Sequence, residues 1–565
     1  MENIRTEVGA VLLDTRSIQK YVFGCNELKT NVGASYIVDK IFEKIMCGKV
    51  LNESPTAEFE TGWKENHEIK MLKDAAIKYE VAYIGGGNML LLVHEAGNTL
   101  ADDLKECRNL VKKWSKKVLL YAPGLKTGAA IGALDITEAG FKESLDALYK
   151  QLKENQNKIL PDVDLPYTGL TKECDVSGKT ADTYDYSHDK KRMVSSEVKA
   201  KISAQKDAEC ELEAKLKAIF PDMKLAFADE FEKIGYVAGE SYLSVIHIDG
   251  NNMGVKFSCC KNLQKRKELS LKVQQSVEKA FESLVKKIVS EFETYKDYLD
   301  YKKLTDGEIR ILPIRPIIIG GDDITFVCPG RLGIEFAKYF VEEAAKETII
   351  DDADLSAMEE EANKDNNGPR KKINKRLSCC AGVAIVPAKY PFFRAYGLAE
   401  QLCSAAKKKS RTNDDSWLDF AILHGEMTPE LQQLRDEQYV SITGKKLHFG
   451  PYQIRDNGVK ENSIDRLLNL AKRLDDESAR KTILEKKAAR NKVKKLREVL
   501  CGDMHGITRF LENAADIEAV LKEETAKREV SAQDFFECAS GSKEEATIFI
   551  DAIEIIDFLP KKKDR

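Results

Sequence analysis

Long apolar runs are missing from this 565-residue chain. No segment approaches the roughly 20 consecutive apolar residues that cross a bilayer, and the opening MENIRTEVGAVLLDTRS has no basic region followed by an apolar core. The expectation is a cytoplasmic protein with no membrane partner. CxxC spacing is missing too. The 13 cysteines are scattered, and the adjacent pairs Cys259–Cys260 and Cys379–Cys380 suit neither a disulfide nor a tetrahedral metal site. They read as reduced, mostly buried thiols. Nor is there a surplus of positive charge. A formal net charge of −4 argues against non-specific coating of nucleic acid, although it leaves room for a local basic surface. What the chain does have is 43% hydrophobic and 32% charged residues over a length that needs several domains, the profile of a globular protein.

Hydrophobic patterning places a strand at GAVLLD (Gly9 to Asp14), a helix from about Ser17 and a second from about Gly33. EVAYIGGGNMLLLVH (Glu80 to His94) is a strand, a glycine turn and a strand, and TGAAIGAL (Thr127 to Leu134) is another strand. From about Lys142 to Lys233 helical pieces flank a polar loop and read as an inter-domain insertion. YLSVIHID (Tyr242 to Asp249) then resumes strand character. After it come the loop GNNMG and an amphipathic helix with Val273, Val277, Phe281, Leu284, Ile288 and Phe292 on one side. A hairpin follows at IIIGGDDITFVC (Ile317 to Cys328), then a helix through Phe336 and a charged break from about Asp351 to Lys375. CCAGVAIVP (Cys379 to Pro387) is a buried strand, Pro391 to Arg411 a helix, and the remainder from about Asn462 is largely helical.

The two mixed α/β units share one order of parts. A strand ends in Asp14 or Asp249, and a hairpin follows 71 positions later at GGGN (Gly85 to Asn88) or GGDD (Gly320 to Asp323). A small-residue strand then comes at Gly128 or Ala381. Internal duplication is the economical reading, and only the second copy keeps both hairpin acids.

Asp249 at a strand end and Asp322 with Asp323 at a hairpin tip offer the oxygen ligands that Mg²⁺ or Mn²⁺ prefers. Such ions complete their shell with water and substrate phosphates, so the set suits a nucleoside triphosphate and nucleotidyl transfer or cyclisation. The bland alternative is an acidic turn, because Gly and Asp are favoured in turns for local reasons. Lys407 and Arg411 lie one turn apart near a helix C-terminus, where they can meet a triphosphate or simply offset the helix dipole.

In order, these motifs resemble the Cas-ten family, the large palm-domain subunit of type III CRISPR effector complexes, related to GGDEF nucleotide cyclases. The resemblance rests on SIQKYVFGCNELKTNVGASY, YIGGGNMLLLV, IHIDGNNMGVKF, IIIGGDDITFV and AGVAIVPAKYPFFRAYGLAEQLCSAAKKKSRTN, about 200 residues spread within the first 415. It implies an α/β (α+β) protein with two ferredoxin-like palm domains. The degenerate first palm would occupy 1–140, an inter-palm helical and loop region 141–235, the catalytic second palm 236–430 and a helical domain 431–565. It also implies an enzyme that joins ATP into cyclic oligoadenylates. By resemblance Asp249, Asp322 and Asp323 are catalytic and, with the Gly250 backbone, hold Mg²⁺ or Mn²⁺. Gly320, Gly321, Asn251, Asn252, Lys407 and Arg411 would bind nucleotide, and Ser35 and Gly86 of the first palm a second ATP. Other subunits of the effector complex and guide or target RNA are the implied partners.

Three departures stand out. Asn251 replaces an acid that the family often carries. The zinc-binding cysteines between the palms are reduced to Cys174, so no structural zinc is expected. No HD nuclease domain is expected either, since the one His-Asp pair, His188 with Asp189, reads as loop surface. In the C-terminal part, Ala479 to Arg497 carries nine Lys or Arg and one Glu, which fits RNA phosphates, an acidic partner or a solvated helix face. His247 reads as a packed histidine or as a group near substrate. Two further functions are weighed: a non-catalytic palm scaffold for guide RNA and subunits, and a GTP cyclase, which the missing RxxD pattern disfavours.

Overall fold

The apolar run Gly9–Leu13 is buried on both sides because it forms the central strand of a sheet packed on two faces. The computed structural model describes residues 6–560 apart from 26, 54–57, 61–62, 65–68, 72–73, 75, 159–166, 187–190, 232–233, 235–240, 298, 365–369, 412, 426–429, 455–461, 476–482 and 539–543. In the first sheet β1 (Glu7–Arg16) lies between β4 (Asn88–Val93) and β5 (Lys126–Asp135), with β3 (Ile77–Gly85) and β2 (Glu58–Glu60) beyond β4. Val11 and Leu13 face α1 (Ile18–Val22), α2 (Leu28–Ile41) and α3 (Leu100–Tyr121), whereas Ala10 and Leu12 face α4 (Phe141–Gln156). Alternation along one strand thus serves two cores. Helix α4 puts Leu145, Leu148 and Leu152 into this packing, so the first palm extends past the expected boundary at residue 140. Helix α3 goes beyond the sequence-based expectation, yet its start has a local signal. Thr99 and Asp102 form a capping box, and Leu110, Trp114 and Val118 repeat at the helical period.

The inserted region holds a small hairpin, β6 (Thr183–Asp185) with β7 (Arg192–Val194), then α5 (Ser196–Ile219) and β8 (Leu225–Phe227). Ala204 and Ala208 of α5 pack into the main core, and Glu209 receives the buried Arg315 guanidinium (Nη1 at 3.1 Å).

The second sheet is built from β9 (Tyr242–Gly250), β12 (Arg315–Gly320), β13 (Asp323–Pro329), β14 (Cys379–Pro387), β15 (Trp417–Ile422) and β16 (Tyr452–Gln453), in the order β12-β13-β9-β14-β15-β16. Short strands β10 (Thr305–Asp306) and β11 (Ile309–Leu312) join β8 in a separate sheet. Helices α6 (Met253–Ser258), α7 (Leu263–Ser290) and α8 (Gly333–Ala344) follow their strands, and α10 (Phe392–Ser410) covers β14 and β9. At Gly382 of β14 a Cβ would meet the Ala399 carbonyl oxygen at 1.9 Å, so glycine is what lets α10 lie this close. The charged stretch expected as a break from Asp351 contains α9 (Asp352–Asn363). Acids in its first turn complement the helix dipole and Met358 is its buried anchor.

The registers bear out the duplication. Asp14 pairs with Asn88 and Gly128, and Asp249 with Asp323 and Cys380, at corresponding places in the two sheets. Both units are ferredoxin-like. The second sheet runs past 430 through β16, after α11 (Leu431–Gln438). The rest is mainly helical, α12 (Ile464–Asp475), α13 (Ile483–Leu500), α14 (Met504–Leu511), α15 (Ala515–Thr525) and α16 (Ile548–Ile555), with one short strand pair, Glu537–Cys538 and Glu545–Ala546. It is tied to the second palm by His448, whose ring nitrogens lie 2.8 Å from Asp551 and 3.0 Å from Asp419. Among the described residues no helix is long and apolar enough to cross a membrane.

Candidate active site

Antiparallel pairing sets Asp249 directly across from Asp323, and side chains of such a pair share one face about 5 Å apart. Asp322 lies at the hairpin tip, where its carbonyl accepts the Gly250 N–H at 3.1 Å. Three carboxylates from two distant segments are therefore brought to one end of the second sheet. Only Gly321 of the two hairpin glycines has a positive φ, +59°.

The charges at this end are unbalanced. Burial first, then the neighbouring Asp249 and Asp323, push the Asp322 carboxyl up to about 7, against the opposing pull of Lys407. Lys407, near the C-terminal end of α10, donates to Asp249 Oδ2 and, at 3.0 Å, to the Gly250 carbonyl. It thus sits on two of the expected metal ligands rather than reaching outward for phosphate. His247 is buried, and its Nδ1 is 3.3 Å from both Thr325 Oγ1 and Asp323 Oδ1. Burial opposes protonation of His247, but Asp323 and Asp249 outweigh it and raise its pKa. His247 is both packed and in contact with the acids.

Among the described residues no three His, Cys, Asp or Glu side chains stand in a metal-holding arrangement. The donor chemistry nevertheless fits a divalent ion. Three carboxylates face one ammonium, with only the His247 ring beside Asp323 Oδ1.

Beside the hairpin lies a cavity of about 560 Å³ walled by both palms. Gly320, Gly321, Asp322 and Asp323 line it from the second palm, Ser35 and Gly86 from the first. The two glycine hairpins meet here, and a Cβ on Gly321 would lie 3.4 Å from the Gly86 nitrogen. Arg266 of α7 also lines it, although the sequence singled out no such residue. Its guanidinium donates to Tyr149 at 2.8 Å and lies 5.5 Å from the Tyr83 ring, so it joins the palms.

Other expected nucleotide ligands lie elsewhere. Asn251 turns inward, its amide donating to the Asp415 carbonyl at 2.9 Å, and Asn252 donates to Asp414 Oδ1 at 3.0 Å. Both amides are engaged by the protein because their loop must satisfy its buried polar groups. Arg411 is exposed just past α10. Asp249, Gly250, Asn251, Asn252, Lys407 and Arg411 are not among the described residues lining the cavity. Cys174 is buried and its sulfur accepts the Ser177 and Ser195 N–H groups at 3.4 and 3.3 Å. His188 and Asp189 lie outside the described residues. Of the C-terminal basic run, Lys492 and Arg497 pair with Asp516 and Glu554 at 3.2 and 2.7 Å, which directs them to the domain itself.

The chain is similar in part of its sequence and in fold to known proteins. Residues 242–415 match the family model of the Cas10/Cmr2 second palm domain. The crystal structure of a Csm1–Csm4 cassette in complex with cA4 aligns at TM-score 0.51 and 12% identity, covering 99% of this chain and 71% of that one. Csm1 of T. onnurineus aligns at TM-score 0.45 and 14% identity, covering 99% and 70%. No curated protein matches the chain. Over residues 242–415 the chain is thus similar to the second palm domain of Cas10/Cmr2 proteins.

Proposed function

We propose that the protein is a metal-dependent nucleotidyltransferase that converts ATP into cyclic oligoadenylates, a second messenger of CRISPR-type antiviral defence. The observation that carries this reading is the convergence of Asp249, Asp322 and Asp323 beside a cavity shared by two facing glycine hairpins. Asp249, the Gly250 carbonyl, Asp322 and Asp323 would hold Mg²⁺ or Mn²⁺. Such an ion, when bound, activates a ribose hydroxyl and neutralises departing pyrophosphate. The protein's own part is positional. The hairpin backbones, free of side chains at Gly86 and Gly321, allow phosphates close approach, and the cavity is of nucleotide size. Lys407 would have to leave Asp249 before its ammonium could meet a phosphate. A cyclic tetra-adenylate in the Csm1–Csm4 structure of similar fold supports the product class. The same structure supports a Csm4-like subunit as partner; guide or target RNA is the proposed trigger.

A second reading, a palm scaffold without activity, is favoured by one observation: Lys407 occupies Asp249 and the Gly250 carbonyl while Asn251 contributes no charge. Labelled ATP or GTP, Mg²⁺ or Mn²⁺, and RNA, present or absent, separate the two. A cyclic adenylate lost in the Asp322→Ala/Asp323→Ala variant supports the enzyme; triphosphate left intact under every condition, with RNA or a subunit bound tightly, supports the scaffold.

A further inference from the structure

Behind the acidic end of the second sheet lies a buried carboxylate that the reading above does not use. Asp414 has no exposed surface, and its backbone is in the left-handed region at φ +53°. An L-residue stays there only when its surroundings hold it, and such positions gather at functional sites. Four donors hold this one. Oδ1 accepts from Asn252 Nδ2 at 3.0 Å and from Ser378 Oγ at 2.9 Å. Oδ2 accepts from the Asn374 N–H at 2.8 Å and lies 2.9 Å from the Lys256 ammonium, itself fully buried. Two carboxylate oxygens offer about four lone-pair sites, so the group is saturated and has none left for a metal or substrate.

What these bonds join is specific. Asn252 belongs to the turn that follows Asp249 and Gly250 and Lys256 to α6, which starts from that turn, and Lys256 also donates to the Asn251 carbonyl at 3.1 Å. Ser378 precedes β14, and its carbonyl accepts the Asn251 N–H at 2.9 Å. The Asp414 N–H itself closes onto Ser410, three residues beyond Lys407. One carboxylate therefore fixes the chain on either side of the Asp249–Lys407 contact.

We propose that Asp414, with Lys256 as its counter-charge, is the positioning residue that holds the Gly250–Asn252 turn so that Asp249 and the Gly250 carbonyl can share a divalent ion with Asp322 and Asp323. This rests on the metal-binding reading above. Residues that orient ligands without touching the ion typically change metal affinity 10- to 100-fold when altered.

The test is Mn²⁺ binding to the full chain, without nucleotide, read by electron paramagnetic resonance, with thermal unfolding followed in parallel. Asp322→Asn serves as the ligand control. Lys256→Met/Asp414→Asn removes both buried charges together and avoids stranding one, and Asn252→Ala removes a single donor and is the milder second variant. The expected result is loss of Mn²⁺ in Asp322→Asn, about tenfold weaker binding with an altered spectrum of bound Mn²⁺ in the double variant, and a smaller change of the same kind in Asn252→Ala. Parent-like affinity and spectrum in both Asp414-network variants, with Asp322→Asn still defective, overturns the positioning role and leaves the metal site standing. A parent chain that takes up no Mn²⁺ overturns both.

Discussion

At the scale of single residues, the contact that decides most is Lys407 on Asp249 and the Gly250 carbonyl. An ammonium there competes with any divalent ion for the same oxygens. Replacing it with methionine should tighten Mn²⁺ binding about fivefold in the absence of nucleotide, the effect of removing one partly exposed ion pair, while weakening ATP binding. Calorimetric titration with each ligand checks both directions. His448 gives a pH prediction. Burial and Arg435 oppose its protonation, but Asp551 and Asp419 outweigh them, so its folded pKa stands above that of an ordinary histidine. A raised histidine contributes stability that is complete below the unfolded pKa and disappears as pH rises through the folded one. His448→Gln should therefore cost on the order of 3 kcal/mol at pH 6 and less at pH 9. Urea unfolding at the two pH values measures it; a cost that grows with pH would contradict the assignment.

At the scale of elements, strand ends and glycine hairpins were legible because alternation and Gly-Asp turns are local signals. The pairing of Asp249 with Asp323 followed from adjacent strands in a duplicated order. Helix α3 escaped because its face is carried by well-spaced residues, Leu110, Trp114 and Val118, amid charge, though Thr99 and Asp102 marked its start. The roles of Asn251, Asn252 and Asp414 were not legible, since which way an amide turns depends on acceptors more than 100 positions away along the chain. Gly382 belongs here as well. Alanine at this position would push α10 off β14, and we expect a loss of about 2 kcal/mol or more in unfolding free energy, with Lys407 displaced from Asp249. Chemical denaturation and the reactivity of the Lys407 amine report the two effects.

For the molecule as a whole, the palms are held together by aromatic packing as well as by the cavity wall. Phe23 of the first palm stacks on Tyr396 at 3.8 Å between centroids and lies 5.6 Å from Phe392, both on α10. Phe23→Ala should cost about 3–4 kcal/mol and uncouple the units, splitting one calorimetric unfolding transition into two.

The first sheet repeats the acidic end with an amide in place of the ammonium. Asp14 is bonded by the Gln156 amide at the end of α4, in the place that Lys407 takes at the end of α10. An amide donates a hydrogen bond but carries no charge. The chain thus contains an internal reference for its own chemistry: Asp14→Asn should leave Mn²⁺ uptake as it is, so that whatever Asp249→Asn removes can be credited to ionic character and not to the architecture that the two halves have in common.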